Sequence, residues 1–154
     1  WVVSECATLL QSRAVEKNIG LDVDVSDGCP SLIRTDPTRV RQIVMNLVSN
    51  AVKFTPDGGT ITLRAAYDSA GENLVLDVAD TGPGIPLEER PRIFAAFYQG
   101  ATPQGGLVRG TGIGLSVVQE FVLAHGGSVE IVSAPGAGTR VVARVPCAAT
   151  DRTR

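Results

Sequence analysis

The feature that most narrows the fold is strict alternation of apolar and polar residues in strand-length runs. From Thr60 to Ala66, Ile61, Leu63 and Ala65 oppose Thr60, Thr62 and Arg64; near the end, Val141, Ala143 and Val145 oppose Arg140 and Arg144. A period of two sends the two sets to opposite faces, so a sheet built from these runs buries one face and wets the other. Helices then belong on a single side, which predicts a two-layer α/β (α+β) sandwich. At 154 residues the chain has the length of one domain, and its 44% hydrophobic content is enough for a sizeable core.

The remaining elements follow from local signals. Val2, Val3, Cys6, Leu9, Leu10 and Ala14 recur at helical intervals and predict a helix over 2–17, stopped by Asn18-Ile19-Gly20. Leu21 to Val25 alternates like a strand, Asp27-Gly28 turns the chain, and Ser31 to Arg34 offers a short return strand. Asp36 is placed to cap a helix with Pro37 at its first position, running to Phe54. That helix carries two stripes. Val40, Ile43, Val44, Leu47, Val48 and Ala51 form a core face, while Gln42, Asn46, Asn50 and Lys53 line another. Amides repeated at helical spacing suit either a neighbouring loop or a bound ligand.

After a turn at 55–59, strands are expected at 60–66 and 73–79, separated by Asp68-Ser69-Ala70-Gly71. Asp80-Thr81-Gly82-Pro83-Gly84-Ile85-Pro86 ends the second strand abruptly. The stretch from Pro86 to Arg109 is long for a connection and reads as a lid or a disordered segment; Phe94, Phe97 and Tyr98 are three of the chain's seven aromatics, so it must pack somewhere at least part of the time. It leads into Gly110-Thr111-Gly112-Ile113-Gly114-Leu115, whose alternate glycines let backbone N–H groups converge at the start of an apolar helix. Such a turn favours an anion, or serves close packing of chain segments. It is not a Walker loop, since no Gly-Lys-Ser/Thr follows, and its spacing differs from the dinucleotide fingerprint. The helix ends at Ala124-His125-Gly126-Gly127, two strands over 128–132 and 139–145 close the domain, and 147–154 is read as a frayed tail.

Composition excludes several classes. With 14 Lys plus Arg against 16 Asp plus Glu, the net charge of -2 gives no basic surface for nucleic acid. Cys6, Cys29 and Cys147 are too few and too scattered for a zinc site or disulfide framework, which suits a reducing compartment. No apolar run has the length of a membrane span. The opening Trp1, in place of Met, leads us to expect a piece of a longer protein.

Four stretches together carry a resemblance. Asn46-Leu47-Val48-Ser49-Asn50-Ala51-Val52-Lys53-Phe54-Thr55 resembles the N box of sensor histidine kinases, and Asp80 to Ile85 their first glycine box. Ile93-Phe94-Ala95-Ala96-Phe97-Tyr98 resembles the F box, and Gly110 to Leu115 the second glycine box. The resemblance is to the catalytic, ATP-binding domain with the Bergerat-type fold shared with gyrase, Hsp90 and MutL. It implies a mixed, mostly antiparallel sheet with helices on one face. It also implies a catalytic domain over 21–146, a flexible ATP lid over about 86–110, and a segment at 1–20 leading to dimerisation helices outside this chain.

Residue by residue, the resemblance implies ATP and Mg²⁺ as ligands. Asn50 would meet the metal with Asn46 beside it, and Lys53 would meet the phosphates as a point charge. Asp80 would accept the adenine 6-amino group, Gly82 and Gly84 would let backbone approach the base, and Ile85 and Phe54 would wall it. Thr139 would assist adenine binding, and Arg109 would reach the terminal phosphate. Gly110, Thr111, Gly112, Ile113, Gly114 and Leu115 would cradle the phosphates, and Phe94, Phe97 and Tyr98 would pack the lid.

The acceptor would be a histidine on a separate helical hairpin, with relay to a response-regulator aspartate. The sole histidine, His125, sits at a helix end and is read as structural. The implied parent is a homodimer anchored in the cell membrane with this domain in the cytoplasm, and the fragment itself a monomer. Two alternatives stand beside it: a noncatalytic nucleotide-responsive module, kept open by Ala95-Ala96 in place of the usual acidic residue and proline, and an anti-sigma-type serine kinase of the same fold. A hydrolytic machine of the gyrase kind is disfavoured, because Asn46 stands where such enzymes carry a general-base Glu.

Overall fold

The computed structural model describes residues 2–26, 33–34, 36–68, 70, 72–90 and 114–149. Among these the elements run α1 (Val2–Glu16), β1 (Gly20–Val25), β2 (Ile33–Arg34), α2 (Pro37–Phe54), β3 (Thr60–Asp68), β4 (Asn73–Asp80), α3 (Gly114–Ala124), β5 (Ser128–Ser133), β6 (Thr139–Pro146) and β7 (Ala148–Ala149). The main sheet has the order β1-β3-β4-β6-β5, with β1 parallel to β3 and every other pairing antiparallel. Alternation does what it must: Ile61, Leu63 and Ala65 on β3, Leu74, Leu76 and Val78 on β4, and Val141, Ala143 and Val145 on β6 all enter one core. They meet Val40, Ile43, Val44, Leu47, Val48 and Ala51 of α2 there. Each fully buried Val or Leu contributes about 1.5–3 kcal/mol. The two-layer sandwich with a mixed, mostly antiparallel sheet is therefore found as expected.

Helix α2 lies between α1 and α3 and is fixed at both ends. Asp36 accepts a hydrogen bond from Thr38 N at 2.9 Å, as an N-cap should, and Pro37 follows it. At the other end Lys17 Nζ donates to the carbonyls of Val52 (2.7 Å), Lys53 (3.2 Å) and Thr55 (2.8 Å). A cation there neutralises the negative end of the helix dipole and satisfies carbonyls left without helical partners. Glu5 of α1 also pairs with Arg41 of α2 at 2.8 Å.

Four expectations are corrected. Leu9 faces out, 63% exposed, while Ala7 is buried, because the inward stripe of α1 runs through Val3, Cys6, Ala7, Leu10 and Ala14. The short return strand does not come back along β1; Ile33–Arg34 pairs with Ala148–Ala149 in a separate two-stranded sheet. The tail consequently does not fray from Cys147, which is buried and donates its N–H to Glu72 O at 2.8 Å. The outer sheet face is not uniformly wet either. Asp77 and Val142, cross-strand partners on that face, are buried. Arg140 grips both oxygens of Asp77, and Arg144 pairs with Glu130, so two arginine stems flank Val142. The Asp27-Gly28 turn and most of the lid stretch lie outside the described residues. Among the described residues no helix is long and apolar enough to cross a membrane.

Candidate functional site

At one end of the sheet, the loop leaving β4 and the turn joining β5 to β6 lock together through their backbones. Asp80, the last residue of β4, stands opposite Thr139, the first of β6. Its Oδ1 accepts from Gly82 N at 2.8 Å, and the N–H of Thr139 also donates to the carboxylate. Burial pushes the Asp80 carboxyl above the ordinary range, and these two hydrogen bonds only partly offset that. Thr81 ties the loop to β3: its N–H donates to Thr60 O (3.1 Å), and its hydroxyl accepts from Thr60 N (2.9 Å).

Two glycines permit the contact. Gly84 has φ +78°, and a Cβ there would land on the Ala134 carbonyl; Gly138, also at φ +78°, would put one on the Asp80 carbonyl. Gly136 N donates to Pro83 O at 2.7 Å across the same interface. Gly82 is tight for another reason: its Cβ would stand 3.1 Å from Phe54 O, so the end of α2 lies directly on this loop.

The structure thus brings Phe54, Asp80, Gly82, Gly84, Ile85 and Thr139 together. On α2, Asn46 and Asn50 are half-buried and Lys53 is exposed, one turn apart along one face. No hydrogen bond ties either amide to another described residue. Amide oxygens with no partner among the described residues suit a hard cation that borrows its remaining ligands from phosphate and water. Among the described residues no cluster of three or more His, Cys, Asp or Glu could hold a metal by itself. Gly114 and Leu115 open α3, and the Leu115 side chain packs against the core. Arg109, Gly110, Thr111, Gly112, Ile113, Phe94, Phe97 and Tyr98 lie outside the described residues.

Sequence reasoning missed two residues here. Ser133 is buried between the two loops, and Lys17 caps α2. The first had a signal: a polar residue stands where the inward alternation of Val129 and Ile131 calls for a hydrophobe. Lys17 had none, since its partners are backbone carbonyls on a distant helix.

A family model described as histidine kinase-, DNA gyrase B-, and HSP90-like ATPase matches residues 35–149. The chain belongs to this family. Within it, the resemblance is to sensor histidine kinases. The domain is 39% identical over 139 residues to the sensor histidine kinase TmoS of Ectopseudomonas mendocina, covering 90% of this chain and 14% of TmoS. It is 38% identical over 138 residues to the aerobic respiration control sensor protein ArcB of Escherichia coli (strain K12), covering 89% of this chain and 18% of ArcB. Full-length ShkA, solved in complex with AMPPNP, superposes with a TM-score of 0.83 at 36% identity over 97% of this chain and 30% of ShkA. This ATPase-family domain therefore spans less than a fifth of these two curated relatives.

Proposed function

We propose that this domain binds ATP with Mg²⁺ and transfers the terminal phosphoryl group to a histidine supplied by a separate helical hairpin. The observation that carries the reading is the Asp80 carboxylate, held at the strand end by two backbone N–H groups beside glycines that admit no side chain. Ionised, it only accepts hydrogen bonds, so it selects a base that offers an amino group over one that offers a carbonyl. Phe54 and Ile85 supply apolar walls, and Thr139 borders the same carboxylate. Asn50, with Asn46 beside it, would hold Mg²⁺, which neutralises phosphate charge when bound. Lys53 adds an exposed point charge on the same helix face. Arg109 and the glycine turn Gly110 to Gly114 complete the phosphate end.

The chemistry asks little of the protein beyond positioning. A neutral imidazole nitrogen attacks the terminal phosphorus in line, the bond to the bridging oxygen breaks, and ADP leaves with that electron pair. Asn46 cannot abstract a proton from water, which favours transfer to the imidazole over hydrolysis. Relay to a response-regulator aspartate would follow in a membrane-anchored, cytoplasm-facing homodimer, with residues 1–20 joining this monomeric domain to the dimerisation helices.

The test is transfer of label from γ-labelled ATP to isolated helical hairpins bearing a histidine. Acid-labile, base-stable label on the hairpin supports the reading. Acid-stable label on a serine-bearing antagonist replaces it with a serine kinase, and binding without any transfer replaces it with a nucleotide-responsive module.

A further inference from the structure

Ser133 is buried at the end of β5 and touches three groups of the base end. Ile85 N lies 2.8 Å from its Oγ, Gly138 O 3.0 Å and Thr139 Oγ1 2.9 Å. Proton bookkeeping assigns the directions. An amide N–H only donates and a carbonyl only accepts, so Ser133 takes the Ile85 proton and gives its own to Gly138 O. The contact with Thr139 must then use the Thr139 proton. Ser133 is thereby saturated, and Thr139 Oγ1 is left with lone pairs alone.

From this we infer that Ser133 is a positioning residue for base recognition. It pins Ile85 to the β5–β6 turn and turns Thr139 into a pure acceptor beside the Asp80 carboxylate. Two acceptors side by side favour a purine with an exocyclic amino group at position 6 and oppose one with a carbonyl there. A freed Thr139 hydroxyl could rotate and donate to that carbonyl. This rests on the proposed nucleotide site and extends it to a residue outside the glycine boxes.

The test is calorimetric titration of the 154-residue chain with ATP and with inosine triphosphate, each with Mg²⁺. Ser133→Ala is expected to weaken ATP about tenfold and the inosine nucleotide less, so that the preference between them narrows several-fold. Ser133→Thr, which keeps the hydroxyl, is expected to restore it. Thr139→Val leaves the Ser133 bonds to Ile85 and Gly138 in place and should narrow the preference too, which reads the same effect if Ser133→Ala fails to fold. An unchanged preference in the folded variants, or equal weakening of both nucleotides, would assign Ser133 to scaffolding alone and overturn the inference. Failure of the unsubstituted chain to bind ATP would instead overturn the site reading itself, and this inference with it.

Discussion

The base end and the phosphate end of the proposed nucleotide site are built on opposite plans. At the base end the polar atoms are already spent on one another: Asp80 on Gly82 and Thr139, Ser133 on Ile85, Gly138 and Thr139, Gly136 on Pro83. On the α2 side, the amides of Asn46 and Asn50 have no described partner and Lys53 is exposed. The base end is preorganised, so damage there reaches the fold as well as the ligand. Among the described residues nothing ties up the α2 amides, so damage there should reach the ligand more than the fold.

Breaking the base end should have the largest effect. Gly84→Ala forces a side chain onto the Ala134 carbonyl at a positive φ and should destabilise the domain by about 3 kcal/mol, abolishing nucleotide binding. Thermal denaturation and titration of the same sample check both halves.

Asp80→Asn should move function and stability in opposite directions. Loss of a charge-assisted acceptor should weaken ATP roughly ten- to a hundredfold, while the unliganded domain melts at a higher temperature because a disfavoured buried charge is gone. The pH dependence has a matching sign. With its carboxyl raised on folding, Asp80 favours the folded state fully below its ordinary value near 3.8, and that contribution is lost as pH rises through the raised value. Between those two values acidification should therefore add stability from this group and remove ATP affinity. Asp80→Asn should flatten both trends.

Asn50→Ala sharpens the contrast from the other side. It should remove the Mg²⁺-dependent part of the affinity, leaving stability within about 0.5 kcal/mol, seen by titrating with and without the metal. The smallest effect is expected of Lys17→Met, which uncaps α2 at a part-exposed position: about 1 kcal/mol lower stability, with little change in base preference.

Much of this division was legible in the chain. Period-two runs placed the core of β3 and β6, and Asp36-Pro37 placed the start of α2, because both signals act within a few residues. Asp80, Gly82 and Gly84 were legible as an abrupt, glycine-rich strand end. What was not legible depended on partners far along the chain. The pairing of Ile33–Arg34 with Ala148–Ala149 spans more than a hundred residues, and Lys17 finds carbonyls 35 to 38 positions away. Burial of Val142 needed arginines whose carboxylate partners sit on neighbouring strands. Ser133 was readable only as a break in alternation; its role follows from where Ile85 and Thr139 come to lie.

The central claim, a base end fixed by Asp80 and a metal end served by Asn50, is tested most directly by one calorimetric series. A nonhydrolysable ATP analogue with Mg²⁺ is titrated into the chain and into Asp80→Asn and Asn50→Ala. The account predicts binding to the chain that weakens in both variants, with the metal dependence lost only in Asn50→Ala. No binding to a demonstrably folded chain, or binding indifferent to both substitutions, would contradict it.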